Sequence, residues 1–155
     1  MELPVVNHPD YVAKINDDTK FPLKKFGAVA NYLLDEKIVK KFHIHEECSV
    51  ETMKNSHSLK YINDIKDKTL DIKAQKKIGF PINDSVVRRS FVATGGTVLA
   101  SKLALDSKLA CNTAGGSHHA TFNYGAGYCV FNDTAVAANY LKKRRYAKRI
   151  LMLDL

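Results

Sequence analysis

At 155 residues, 45% hydrophobic and 26% charged, the chain has the length and composition of one folded domain, which excludes a disordered tail or a collagen-like repeat. No apolar run approaches the ~18–20 residues of a membrane span, and the start MELPVVNHPDYVAK lacks the basic-then-apolar pattern of a secretory signal, so a cytoplasmic protein with no membrane partner is expected. The formal charge of +8 is mostly scattered lysine with acids interleaved; Lys142-Lys143-Arg144-Arg145 is the compact run, and it reads as solvated surface ahead of a nucleic-acid interface.

Pro4-Val5-Val6 is a short apolar run before the turn-like Asn7-His8-Pro9-Asp10. From Lys24 to Lys37, Phe26, Val29, Leu33 and Leu34 recur at helical spacing and predict an amphipathic helix. Phe42 and Ile44 alternate with His43 and His45, the pattern of a short strand. Two histidines two apart can chelate a metal, but with Glu46 and Glu47 following, a solvated strand edge is the favoured reading. Ser49 to Lys54 and Ser58 to Lys66 read as short helices, each with a serine N-cap. His57, just before the second, suits a helix start or packing as well as catalysis. Residues 67–83 are polar and read as loop, ending in Gly79-Phe80-Pro81.

Asp84 or Ser85 caps a helix running to about Asp106, in which Arg88-Arg89 faces an acidic neighbour or simply begins the helix. Gly95-Gly96 lies inside it, where paired glycines weaken a helix but permit close backbone contact. Leu109-Ala110-Cys111 reads as a buried strand leading into a loop from Asn112 to Cys129. Asn132-Asp133 opens a further helix through Ala135, Val136, Ala138, Tyr140 and Leu141, and Arg149 to Leu155 reads as a nearly all-apolar strand. Cys48, Cys111 and Cys129 are widely spaced with no CxxC pair, which argues against a disulfide framework or a cysteine zinc site.

Strand, loop, helix and apolar strand is the alternation of an α/β protein with a buried parallel sheet. Ligands in such sheets bind beyond the carboxyl ends of the strands, the place where this sequence stops. Residues 1–155 are therefore expected to be the N-terminal part of a single larger domain.

The loop carries the chemistry. It reads Ala114-Gly115-Gly116-Ser117-His118-His119-Ala120, then Tyr124-Gly125-Ala126-Gly127-Tyr128-Cys129. Adjacent imidazoles serve general acid/base work near neutral pH or bind metal, and the glycines let a substrate approach the main chain. Tyr128 could form an apolar wall, and Asp154 could fix the tautomer of a histidine. A glycine-rich surface loop with two solvated histidines is an equal alternative on spacing alone.

GGSHHA, GAGYCVFND and RILMLDL closely resemble the zinc-dependent histone deacetylase family, including its bacterial deacetylase-like and acetoin-utilisation relatives. HPDY at 8–11, FPLKKF at 21–26, HSLKYI at 57–62 and RRSFVATGGTVLASKLAL at 88–105 agree in the same order. The resemblance implies a three-layer α/β/α domain of the arginase/deacetylase type around a mostly parallel sheet. It implies that His118 and His119 are the catalytic general base and acid, touching a zinc-bound water and the substrate carbonyl. It places Gly127 at the acyl-lysine amide, Tyr128 on the wall of the lysine channel, and Asp154 beside the first histidine as a catalytic partner and a ligand of structural potassium. Cys129 matches a position near an internal pocket, where burial as a small apolar residue is the expected role. The implied reaction is zinc-dependent hydrolysis of acetyl-lysine or acetylpolyamine amides.

The departures from the family pattern matter as much. The Asp-x-His zinc ligands, a third carboxylate ligand and a carbonyl-polarising tyrosine fall beyond Leu155, so this chain alone is expected to bind no zinc and to be inactive. Thr19 stands where relatives often place a histidine. A truncated product is favoured over half of a split deacetylase completed by a C-terminal-half chain, because a split parallel sheet exposes apolar strand edges. A binding module using Lys142 to Arg145 on an acidic partner is the third reading. Marginal folding is expected of a half-sheet.

Overall fold

A computed structural model describes residues 3–15 and 20–154; Thr19 and Leu155 lie outside the described residues. Strand β1 (Val5–Val6) is fully buried and has parallel neighbours on both sides. On one side runs β2 (Cys111–Asn112), with Val5 opposite Cys111 and Val6 opposite Asn112. On the other, His43 makes a parallel bridge to Val6, its N–H donating to the Val5 carbonyl at 2.9 Å. The strand expected at Phe42–Ile44 thus contracts to one bridge, and Ile44 points to solvent. The strand expected at 109–111 is shifted and not buried: Leu109 and Cys111 are exposed.

The described residues form six helices, of which α5 packs on this ribbon: α1 (Lys25–Asp35), α2 (Val50–Met53), α3 (Leu59–Lys66), α4 (Ile72–Ile78), α5 (Asp84–Ser107) and α6 (Asp133–Lys143). A 3-10 turn (Pro9–Tyr11) precedes them. Ser49 and Ser58 cap α2 and α3 as the sequence predicts, accepting from the Thr52 and Tyr61 N–H groups. In α1 the apolar stripe is only partly used, since Phe26 and Ala30 are buried while Val29 and Leu34 are exposed. Helix α4 lies in the stretch expected to be loop. Asp71 caps its start by accepting from the Ala74 N–H at 2.7 Å, and Gly79 ends it at φ +91°.

Helix α5 is the central pillar, about 36 Å long at 1.5 Å per residue. Asn83, not Asp84 or Ser85, provides its cap, accepting from the Val86 N–H at 2.9 Å. Every residue from Arg89 to Thr94 is buried, so this stretch of the helix is enclosed on all sides rather than along one stripe. Gly95 and Gly96 are the points of closest approach: a Cβ on Gly95 would lie 2.6 Å from the Glu46 carbonyl oxygen, and one on Gly96 would fall on the Tyr11 hydroxyl.

Residues 149–154 form no strand. Leu151 and Leu153 are 88% and 75% exposed, because a strand requires a hydrogen-bonding neighbour and none of the described residues pairs with this segment. No helix among the described residues is long and apolar enough to cross a membrane.

Candidate active site

The glycine loop is built on the start of α6. Asn132, the cap residue, accepts from the Ala135 N–H and donates from Nδ2 to the carbonyls of His118 and Ala120, both at 3.1 Å. Asp133, 2% exposed, holds the other side of the loop. It accepts from the Ser117 N–H at 2.7 Å, the Gly116 N–H at 3.1 Å and the Thr97 hydroxyl of α5. Asn112 at the end of β2 donates to the same Thr97 hydroxyl at 2.9 Å. Burial raises the Asp133 pKa, and its hydrogen-bond donors oppose the shift. Sequence reasoning treated Asp133 only as a helix opener; the missed signal was an Asn-Asp pair where one cap residue suffices.

The histidines sit between these two anchors. Their ring centroids are 4.3 Å apart at 35°. His118 Nδ1 is 2.9 Å from the Gly116 carbonyl oxygen, and its Nε2 is 3.4 Å from Asp154 Oδ2, so both ring nitrogens face oxygen acceptors. Asp154 itself is largely exposed.

Gly127 and Tyr128 occupy the two central positions of a tight hairpin. Ala126 and Cys129 exchange both backbone hydrogen bonds, at 3.1 and 2.9 Å, and the residues between them have φ +54° and +64°. Two successive positive φ values are those of a type I′ turn. An aromatic residue in this left-handed region is strained by about 1–3 kcal/mol. The Tyr128 N–H donates to the Ile78 carbonyl at 2.7 Å, and its ring stacks on Phe21 (5.0 Å, 27°) and tilts against Phe80 (5.4 Å). These contacts hold the turn, and the helix α4 that supplies Ile78 is the element the sequence reading missed. Gly127 lies against His119, where a Cβ would be 3.1 Å from Cγ. His118, His119, Gly127 and Tyr128 line one cavity of about 290 Å³, together with Phe21, Lys25, Arg89 and the buried Cys129.

The other singled-out residues lie elsewhere. His45, expected on a solvated strand edge, is instead half-buried, with Nδ1 2.9 Å from the Glu46 carbonyl oxygen and Nε2 accepting from the Tyr11 hydroxyl at 2.8 Å. Burial lowers its pKa. His57 is fully buried and bridges two segments, Nδ1 donating to the Thr121 carbonyl (2.8 Å) and Nε2 accepting from the Asn132 N–H (3.0 Å). Arg88 does face acids, pairing with Asp10 at 2.8 Å and Glu47 at 2.7 Å. A larger cavity of about 400 Å³, between Glu47, Cys48, Lys66 and Phe91, holds no histidine. Its Cys48 thiol is pushed up to about 12 by burial, which leaves no thiolate nucleophile there.

Among the described residues, no three His, Cys, Asp or Glu side chains come together in a way that could hold a metal ion. His118, His119 and Asp154 therefore do not by themselves fit a zinc ion, and no step below is routed through one.

The histone deacetylase domain family matches residues 20–155 of the chain. The chain is 40% identical to an uncharacterised protein of Picosynechococcus sp. over 157 residues, covering 100% of this chain and 52% of that protein. It is 28% identical to histone deacetylase 2 of Arabidopsis thaliana over 151 residues, covering 87% of this chain and 37% of that one. It is 36% identical to the acetoin utilization protein AcuC of Staphylococcus aureus over 69 residues, 43% of this chain and 18% of that one. The chain thus spans about half the length, or less, of these curated relatives. Among solved structures, the fold is that of the HDA15 HD domain (TM-score 0.73, 15% identity, 93% of this chain and 44% of that one). It is also that of a histone deacetylase homologue complexed with SAHA (TM-score 0.72, 21% identity, 93% and 42%). A small parallel ribbon walled by helices is the corresponding portion of that α/β domain. With the family matched over most of its length, the chain belongs to the histone deacetylase family.

Proposed function

We propose that this chain builds one side of an amide-hydrolysing site acting on an acylated amine, acetyl-lysine or an acetylated polyamine. The observation that carries the reading is the meeting of His118, His119, Gly127 and Tyr128 around one cavity, with Asp154 on the far nitrogen of His118. His118 and His119 move protons: one accepts the proton of the attacking water, and one returns a proton to the leaving amine. Asp154 orients His118 and steadies its charged form. The ring of Tyr128, held by Phe21 and Phe80, forms an apolar wall for the alkyl chain of the substrate, and Gly127 leaves room for the amide.

In the reading proposed here, the metal chemistry of the family requires ligands that the described residues do not assemble, so the 155-residue chain tested by itself hydrolyses no acetyl-lysine peptide. The exposed apolar residues Ile150 to Leu153 favour completion of the site by further protein packed on them. The test is hydrolysis of an acetyl-lysine peptide, with zinc supplied, by whichever form of the domain is active. His118→Ala and His119→Ala are each expected to lower kcat by at least about 100-fold. Hydrolysis that survives both substitutions overturns the assignment.

A further inference from the structure

The cavity that holds the histidine pair is lined by the basic residues Lys25 and Arg89 and, among the described residues, by no carboxylate. Lys25, at the start of α1, places Nζ 4.4 Å from the Phe21 ring centroid and 5.3 Å from that of Phe26. Arg89, on α5, places Cζ 4.7 Å from the same Phe26 ring. Two cations thus share one aromatic ring. Aromatic faces attract each cation, but they do not neutralise the repulsion between them.

Arg89 is the more telling of the two. It is 6% exposed, and its Nε donates to the Tyr11 carbonyl at 2.9 Å. Burial lowers its pKa to about 10, with Asp133 the acid whose charge most opposes this. Asp133, however, is already held by Thr97, Gly116 and Ser117, and forms no ion pair with Arg89. A guanidinium carries five N–H donors in a fixed fork. No sealed side-chain nitrogen or oxygen among the described residues lacks a partner, so the donors beyond Nε are not shut away from solvent, and Arg89 lines the cavity. A desolvated arginine with open donors, beside a second cation, is a site shaped for an anion of planar, bidentate geometry.

We propose that this cavity takes an acyl group that itself ends in a carboxylate, a dicarboxylic acyl chain such as succinyl, with Arg89 and Lys25 receiving the carboxylate. The proposal rests on the amide-hydrolysis reading for its orientation, the scissile amide lying at His118 and His119. At about 290 Å³ the cavity is near the small end of ligand pockets, the size for a short acyl chain. A plain acetyl group fills the same place but offers neither cation a carboxylate.

The test is an NMR titration of the 155-residue chain, carrying Leu151→Lys and Leu153→Lys to keep it monomeric, with three probes: succinamate (the monoamide of succinic acid), acetamide (the amide without the carboxylate) and acetate (the carboxylate without the amide). Succinamate is expected to bind about tenfold more tightly than either, as one charge-assisted bidentate contact implies. It should shift the His118, His119 and Arg89 side-chain signals together, and weaken as salt is raised. Lys25→Gln and Arg89→Gln should each remove most of the preference, whereas Lys142→Gln, away from the cavity, should keep it. Lys25 is exposed, so its variant carries the test even where Arg89→Gln does not fold. Equal binding of succinamate and acetamide, no binding of succinamate, or a preference that survives Lys25→Gln overturns the proposal. So does acetate binding as tightly as succinamate while moving Arg89 alone, which marks a site for a separate carboxylate. The readout is binding, so failure of the hydrolysis reading would register in the peptide assay with His118→Ala and not here.

Discussion

Asp133 accepts from Gly116, Ser117 and Thr97 while almost wholly removed from water, so its removal strands three donors at once. Asp133→Ala is expected to cost about 3 kcal/mol in chemical denaturation, and Asp133→Asn about half of that because the amide oxygen still accepts. Hydrogen exchange at the Ser117 amide should speed up in both; an unchanged rate would mean that the carboxylate does not hold the loop. Gly127 has a different constraint. At φ +54°, Gly127→Ala strains the turn by about 1–2 kcal/mol and presses a methyl group onto the His119 ring. The His119 resonances should shift well beyond those of His118. One buried and one half-buried histidine set the pH dependence. Burial lowers the pKa of both His57 and His45 in the folded chain, whereas the unfolded chain protonates near the ordinary value of about 6.5. Their contribution is therefore full above pH ~6.5 and is lost as pH falls toward their folded values. Urea midpoints should drop between pH 7.5 and 5, and the drop should shrink in His57→Gln.

Whether an element was legible before folding depended on how much local signal it carried. α2, α3 and α6 each combine a side-chain cap with apolar spacing, and each forms within about two residues of expectation. α4 has a cap at each end but only Ile72 and Ile78 as large apolar residues, and Ile72 is exposed, so its periodicity is too thin to read. α5 was legible in extent, with its paired glycines set against intrinsic helix propensity. Gly96→Ala separates the two effects. Alanine gains about 1 kcal/mol within a helix, but here its methyl group would occupy the place of the Tyr11 hydroxyl, and overpacking costs about 1–3 kcal/mol. Net destabilisation is expected in thermal unfolding, together with loss of the Tyr11–His45 hydrogen bond. A stabilised variant would mean that Tyr11 moves aside freely.

Across the whole molecule, the sheet is narrow and the apolar surface is unevenly covered. β1 has parallel neighbours on both sides, but Leu109, Leu151, Met152 and Leu153 stand exposed. Patches of this kind mark contact surfaces or aggregation sites. The 155-residue chain is expected to self-associate at micromolar concentration, and the pair Leu151→Lys with Leu153→Lys to return it toward monomer in size-exclusion chromatography with light scattering. A wild-type chain that runs as a monomer with a sharp, reversible, high-temperature transition would contradict this.

The order of motifs, the helix caps and the tandem histidines are written in the sequence, because residue type and spacing within one turn or loop are local properties. The family and α/β character follow from them. What only the tertiary structure decided are the long-range placements: Asp133 and Thr97 anchoring the glycine loop from two helices, α4 supporting the Gly127–Tyr128 turn, His57 bridging Thr121 and Asn132, and Arg89 brought beside Lys25 on Phe26. It also decided that Arg149 to Asp154 forms no strand, since strand formation depends on a hydrogen-bonding neighbour and not on apolar composition alone.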